Sequence, residues 1–426
     1  MVNSDQITSG DMRHREYCLA VLALIIFLDN VRAFLFRTTL SEMKAPPHTI
    51  NKDNAKQIRH GMIMNAIVDA QSMRNSVIDI ASADRYKYQK VAILGGGAFS
   101  LAMAKVLSYK NISMKMLVRN ESVAEHINTH RLHPKYLSDL VLPEQLLATV
   151  DIDEALLDAT LIIHAVPMQQ SRKFLIGIKD KLPKGVPIMS VTKGVEQETF
   201  SLMSDIIVET LGSECRAAYL SGPSFAREIM NRQATAVVIA STEEALANEL
   251  SEMLSSVEFR CHTSGDVTGV ELAGAMKNVI ALAAGMCEGL GLGMNALSSL
   301  ITRGCTEMGR MGVLLGADQE TFAGLAGVGD TFGTCLGPLS RNRQVGVRLA
   351  EGEKLGDILE TMDGVSEGVL TSIALEQLIK KKVRPAVCEM KFPIISGVSS
   401  IIKGKITPEY GLRLLMNFPL RNENQY

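Results

Sequence analysis

Two hydropathy patterns divide the chain. Between residues 91 and 262, short apolar runs of strand length recur at 91–94, 114–118, 161–166, 186–191, 217–220, 234–240 and 257–262. Helical patterns at 98–107, 154–158 and 168–181 lie among them. Apolar runs alternating with helical stretches predict crossover units and a parallel sheet. From residue 270 the period is 3.6 throughout, which predicts helices over 270–288, 295–315, 318–323, 343–351, 355–362, 365–381 and 385–403. Residues 137–143 and 148–151 read as loops, and the glycine-rich 324–329 as an interruption of the helices. The expectation is an α/β half followed by a helical half.

The first apolar run opens directly into Gly95, Gly96 and Gly97, and a small-residue helix pattern follows. Strand, glycine turn and helix form the context that a dinucleotide fingerprint requires. The first glycine permits the tight turn, and the next lets backbone N–H groups approach a pyrophosphate at a helix N-terminus. The third fingerprint position holds Ser100 instead of glycine, a departure at the point where helix and sheet approach. The second run ends at Arg119, 24 residues after Gly95, where an adenine ribose is read. An arginine there offers a forked partner for a 2′-phosphate and tilts the cofactor toward NADPH; a solvated strand-end arginine is the plainer reading. Gly95, Arg119, Pro167 and Lys193 all fall at carboxyl ends of strands, where ligands bind in such sheets.

In the helix at 270–288, one stripe carries Val270, Gly274, Lys277, Ala281, Ala284 and Glu288. A lysine among small apolar neighbours can have a depressed pKa and act as a base, or it can snorkel to water. The pattern leaves both open. The interruption at 324–329 delivers Asp330, and the cluster Ser340, Arg341, Asn342, Arg343 offers forked donors suited to phosphate.

Length and charge narrow the function classes. At 426 residues the chain accommodates two cores, and a net charge of −2 without a basic aromatic patch disfavours nucleic acid as a partner. Seven scattered cysteines, with no CxxC or CxxH spacing, predict reduced thiols and no zinc site. About 88 residues precede the first strand. Arg13 and Arg15 lead into an apolar core at 18–28, too short for a comfortable membrane span and better read as a signal core. Residues 31–60 hold six Lys/Arg against two Asp/Glu. With Ala33-Phe34 after the core, this resembles the two-part plastid leader of algae whose plastids came from a eukaryotic endosymbiont. Residues 55–82 carry a weak helical pattern. The expected location is the plastid stroma, with a cytoplasmic or endoplasmic-reticulum-associated enzyme as the alternative.

The blocks GGGAFSLAMA, HAVP, VTKGVE, LSGPSFA, DVTGVELAGAMKNVIALAAG, GLAGVGD and SRNR occur in this order. In that order they resemble the NAD(P)-dependent glycerol-3-phosphate dehydrogenases, above all the plastid type, over residues 90–417. The resemblance implies an α/β Rossmann-type N-terminal domain with a mostly parallel sheet, plus an all-α C-terminal domain. The expected division is leader 1–87, nucleotide domain 88–268 and helical domain 269–420. It implies NADPH or NADH as cofactor, dihydroxyacetone phosphate and sn-glycerol 3-phosphate as substrates, and a homodimer. By this resemblance Gly95, Gly97, Ala98, Phe99, Arg119, Pro167, Ala226, Val365 and Glu367 hold the cofactor, together with Lys193 and Arg341. Gly222, Ser224, Asn278, Thr334, Ser340, Arg341 and Asn342 hold the substrate. Lys277 is the proton acceptor, Asp330 orients it or a substrate hydroxyl, and Lys193 touches both ligands. No metal is expected. The alternatives are a dehydrogenase of another small hydroxy substrate on the same plan, or a nucleotide-binding sensor without catalysis.

Overall fold

The computed structural model describes residues 86–362 and 366–417. The leader, the helical pattern at 55–82 and Val365 therefore lie outside the described residues. Eight strands form one sheet: β1 (Lys90–Leu94), β2 (Ser113–Leu117), β3 (Leu146–Thr149), β4 (Leu161–His164), β5 (Ile188–Ser190), β6 (Ala217–Ser221), β7 (Thr235–Ala240) and β8 (Phe259–Ser264). Their order in space is β3-β2-β1-β4-β5-β6-β7-β8. All neighbours are parallel except β6 and β7. The helices among them are α1 (Ala98–Ser108), α2 (Glu121–His130), α3 (Ile152–Leu156), α4 (Met168–Ile178), α5 (Met203–Leu211), α6 (Ala226–Met230) and α7 (Glu244–Leu254).

Both faces of this sheet are covered, so its central strand is an unbroken apolar run instead of an alternating one. Val91, Ala92, Ile93 and Leu94 are all buried, and they divide between an apolar cluster on each face. Strand order reverses between β1 and β4, the switch point at which such sheets open a ligand crevice. Leu94 pairs with Leu117 on one side and with His164 on the other, so Gly95 and Ala165 leave the sheet side by side.

The remaining chain is helical: α8 (Val267–Gly289), α9 (Gly293–Leu314), α10 (Asp330–Leu336), α11 (Arg341–Ala350), α12 (Leu355–Thr361), α13 (Glu367–Lys382), α14 (Pro385–Lys391), α15 (Pro393–Ile402) and α16 (Pro408–Met416). Helix α8 is its axis. It packs against α9, α10, α11, α13 and β6 at once, and every residue from Val270 to Cys287 is buried. The predicted stripe of small residues is therefore a partial view: α8 is buried all round because it has neighbours all round. Its length and hydropathy would also suit a membrane span, but its candidate window is entirely enclosed by protein. Against α11 the approach is backbone to backbone. A Cβ on Gly285 would meet the Arg343 carbonyl at 2.0 Å, and one on Gly346 the Leu282 carbonyl at 2.1 Å.

Several local expectations are corrected. Residues 148–151, read as loop, include the end of edge strand β3, whose four residues are too few to display an alternation. The stretch 385–403 is two helices, not one. Pro393 lacks an N–H and disfavours helical geometry at Phe392, which adopts φ −132°, ψ 50°. Residues Leu325–Gly329 do not interrupt the helices; they form one π turn that runs straight into α10. Residues 341–342, read as part of a loop, are the first turn of α11, with Ser340 as its N-cap. Helices α2, α5, α7, α10 and α16 were not anticipated.

Candidate active site

Asp330 enters the site from an unusual piece of backbone. Gly327 occupies the π turn, where a Cβ would lie 2.1 Å from the Phe322 carbonyl. Wide turns of this kind occur mostly as single turns near functional sites. The turn delivers Asp330 at the start of α10, 2% exposed, with its carboxylate toward α8. There the Lys277 ammonium donates to Asp330 Oδ1 at 2.5 Å and to Thr334 Oγ1 at 3.1 Å. Lys193 donates to the other oxygen, Oδ2, at 2.8 Å, and to the Gly222 carbonyl at 3.2 Å. One carboxylate thus bridges two lysines from opposite halves of the chain.

The backbone around Lys193 is held from several directions. Gly194 sits at φ +145°, a conformation that L side chains rarely adopt. Thr192 donates its hydroxyl to the Val166 carbonyl, and the Gln169 side chain brackets the loop by donating to Val195 O and accepting from Gln197 N. Gly222 is likewise at φ +128°, and a Cβ there would come 2.9 Å from Val237 Cα. Ser224 turns its hydroxyl back onto the Gly222 carbonyl.

Burial dominates the electrostatics. It pushes the Lys277 pKa down to about 8; the neighbouring charge of Lys193 adds to this, and Asp330 opposes it. Burial pushes the Asp330 carboxyl up, but the two lysine charges overcome it and hold the group below the ordinary carboxylate range. The lysine-to-water alternative is thereby excluded for Lys277, which lies buried against a carboxylate.

Beside this cluster, Asn342 of α11 is held by three hydrogen bonds. It donates to Asn278 Oδ1 at 2.9 Å and accepts from the Ser366 hydroxyl at 2.7 Å and the Gly368 N–H at 3.0 Å. The bare backbones of α8 and α11 let two short amide side chains meet. The Ser340 hydroxyl accepts from Arg343 N as the cap of α11. Glu367 opens α13. Burial raises its pKa to about 7, while the Met168 backbone N–H and the charge of Arg341 act the other way.

The cleft continues over the switch point to the glycine turn, for a total of about 950 Å³. Gly95, Gly97, Ala98, Phe99, Arg119, Pro167, Lys193, Ser224, Ala226, Lys277, Asn278, Thr334, Ser340, Arg341, Asn342 and Glu367 all line it. Asp330 stands behind the two lysines, and Gly222 presents its carbonyl to Lys193; neither lines the cleft. The turn fits a pyrophosphate. Gly95 has φ +119°, and a Cβ on it would lie 2.7 Å from the Ala165 carbonyl. Gly97 caps α1 without a side-chain hydrogen bond, and nothing stands within 4 Å of its absent Cβ. The first amides of α1 are therefore open to an anion. Ser100 is fully buried in α1, and its hydroxyl has no hydrogen-bond partner among the described residues.

Sequence reasoning missed the wall formed by His133, Lys135 and Tyr136. These residues lie in an irregular loop, where no periodicity marks an inward-facing side chain. Among the described residues no group of three metal-ligating side chains converges.

A doubly wound sheet with a phosphate-ready turn at its switch point, joined to a lysine–carboxylate pair, defines a dinucleotide-dependent dehydrogenase. Residues 90–247 match the family model for the N-terminus of NAD-dependent glycerol-3-phosphate dehydrogenase, and residues 266–413 match that for its C-terminus. The chain belongs to that family. It is 44% identical over 334 residues to the chloroplastic glycerol-3-phosphate dehydrogenase 2 (NAD(+)) of Arabidopsis thaliana, covering 78% of each chain. It is 42% identical over 335 residues to the glycerol-3-phosphate dehydrogenase (NAD(P)+) of Nitratidesulfovibrio vulgaris, covering 78% of this chain and 100% of that one. The crystal structure of glycerol-3-phosphate dehydrogenase from Coxiella burnetii superposes with a TM-score of 0.73 at 32% identity, covering 77% of this chain and 99% of the other. Chloroplastic and bacterial enzymes thus both stand among its relatives.

Proposed function

We propose that this chain interconverts dihydroxyacetone phosphate and sn-glycerol 3-phosphate with NADPH or NADH, and that Lys277 carries the proton. The observation behind this assignment is the buried Lys277–Asp330–Lys193 bridge at one end of a cleft whose other end suits a pyrophosphate. The nicotinamide, when bound, supplies or takes the hydride at C2. The carbonyl gains that hydride and one proton on reduction, and the secondary alcohol loses both on oxidation.

Lys277 gives its proton to the developing alkoxide on reduction and removes the hydroxyl proton on oxidation. A pKa of about 8 suits it to both tasks near neutral pH. Lys193 adds positive charge at the same oxygen. Asp330 keeps the two ammonium groups together in a setting that would otherwise drive them apart. Arg341 and the remaining amide hydrogen of Asn342 anchor the substrate phosphate, which supplies binding energy remote from the reacting carbon. Thr334, Asn278, Ser224 and Ser340 shape that pocket, and the Gly222 carbonyl holds Lys193 from behind it. Gly95, Gly97, Ala98, Phe99, Pro167, Ala226 and Glu367 surround the cofactor, with Arg119 at its ribose.

We divide the enzyme functionally into a leader (1–87), a nucleotide domain (88–268) and a helical domain (269–420). The basic leader and the chloroplastic relatives support import into a plastid, and we take the working form to be a homodimer. Initial rates with dihydroxyacetone phosphate and each of NADH and NADPH test the reading. Rapid, saturable oxidation of either cofactor supports it; no turnover with either contradicts it.

A further inference from the structure

The loop between α2 and β3 forms the outer wall of the nucleotide end of the cleft, and a buried histidine organises it. His133 is 4% exposed. Its Nδ1 accepts the backbone N–H groups of Lys135, at 3.0 Å, and Tyr136, at 2.9 Å. With Nδ1 committed as an acceptor, the ring proton sits on Nε2, and the ring lies beside the Gly96 backbone of the glycine turn. His133 therefore does two things. It folds 133–136 into a tight turn, and it sets that turn beside the phosphate-binding backbone.

Val118 also approaches Gly96: its Cγ1 lies 2.8 Å from where a Cβ would stand. Arg119 is the next residue after Val118, and Lys135 lies two after His133. Arg119 and Lys135 both line the cleft, as do Gly96, Val118 and His133.

We propose that Lys135, placed by His133, is a second cation beside Arg119 that reads a phosphate on the adenine ribose, and so sets the preference for NADPH over NADH. A 2′-phosphate carries two negative charges near neutral pH, and a single strand-end arginine neutralises one. A lysine serves as a point charge for the rest. This inference rests on the reading of the cleft as a dinucleotide site and goes beyond it by naming how the ribose is distinguished.

The test measures binding to the whole enzyme without substrate, with 2′,5′-ADP and 5′-AMP as probes in calorimetric titrations. Lys135→Gln is expected to weaken 2′,5′-ADP by about tenfold and to move 5′-AMP by less than about twofold, as loss of one charge-assisted phosphate contact requires. His133→Leu is expected to reproduce that selective loss with Lys135 still present. His133→Asn is expected to restore affinity, because its Oδ1 stands where Nδ1 stood and can accept the same two N–H groups. The proposal is overturned if Lys135→Gln leaves 2′,5′-ADP binding unchanged, or weakens both probes alike. It is also overturned if His133→Leu keeps full discrimination. Failure of the wild-type enzyme to bind either probe would instead remove the dinucleotide reading itself.

Discussion

Lys277 and Arg119 line one cleft, and only Lys277 is buried. Around Lys277 the principal charged groups are enclosed and paired: two lysines share the oxygens of Asp330, and Thr334 takes a further lysine hydrogen. Around Arg119 and Lys135 the charges face solvent on loop and strand ends. Burial strengthens electrostatics and shifts pKa values, so the first region is suited to moving a proton. Exposure to solvent leaves the second suited to recognising a charged ligand. The chain thus separates chemistry from selection by depth. Changes at the buried end should cost turnover, and changes at the exposed end should cost affinity.

Lys277→Ala is the sharpest way to break that contrast. Removing the proton carrier should reduce turnover by about 100- to 10,000-fold, with cofactor binding retained in a fluorescence titration. Asp330→Asn comes next. The two lysines lose their shared counter-charge, the Lys277 pKa falls further, and turnover should drop by about 100- to 1,000-fold. That variant should also unfold more readily, by about 3–5 kcal/mol in denaturant melts, since breaking a buried pair leaves charge uncompensated. Arg341→Ala should raise the KM for dihydroxyacetone phosphate by about 10- to 100-fold, as loss of a charged phosphate contact would. The smallest effect is expected at Ser100. Ser100→Ala removes a buried hydroxyl that lacks a partner and improves helix propensity, so the protein should gain about 1 kcal/mol of stability by the same melts.

Some of this contrast was legible in the sequence. The strand–glycine–helix segment is local, and its apolar run announces a strand covered on both faces. Lys277 stood out because a long charged side chain is conspicuous among glycines and alanines. Its environment was not legible, because the pattern offered separate stripes where the structure surrounds α8 on every side. Nor did any spacing reveal that Asp330 and Lys193, 137 residues apart, would meet. The π turn escaped notice because glycines that permit a wide helical turn read the same as glycines that end a helix. His133 escaped for a different reason: its role lies in backbone hydrogen bonds within an irregular loop, and hydropathy carries no trace of those.

The pH dependence of turnover in both directions tests the central claim, that Lys277 exchanges the proton, most directly. The folded enzyme holds Lys277 near a pKa of about 8. Reduction needs the protonated amine, so its rate should fall as pH rises through that value. Oxidation of sn-glycerol 3-phosphate needs the neutral amine, so its rate should rise across the same window. Opposed limbs with a common midpoint near 8 are the predicted result. Two flat profiles between about pH 6 and 10 would contradict the assignment of Lys277 as the proton carrier.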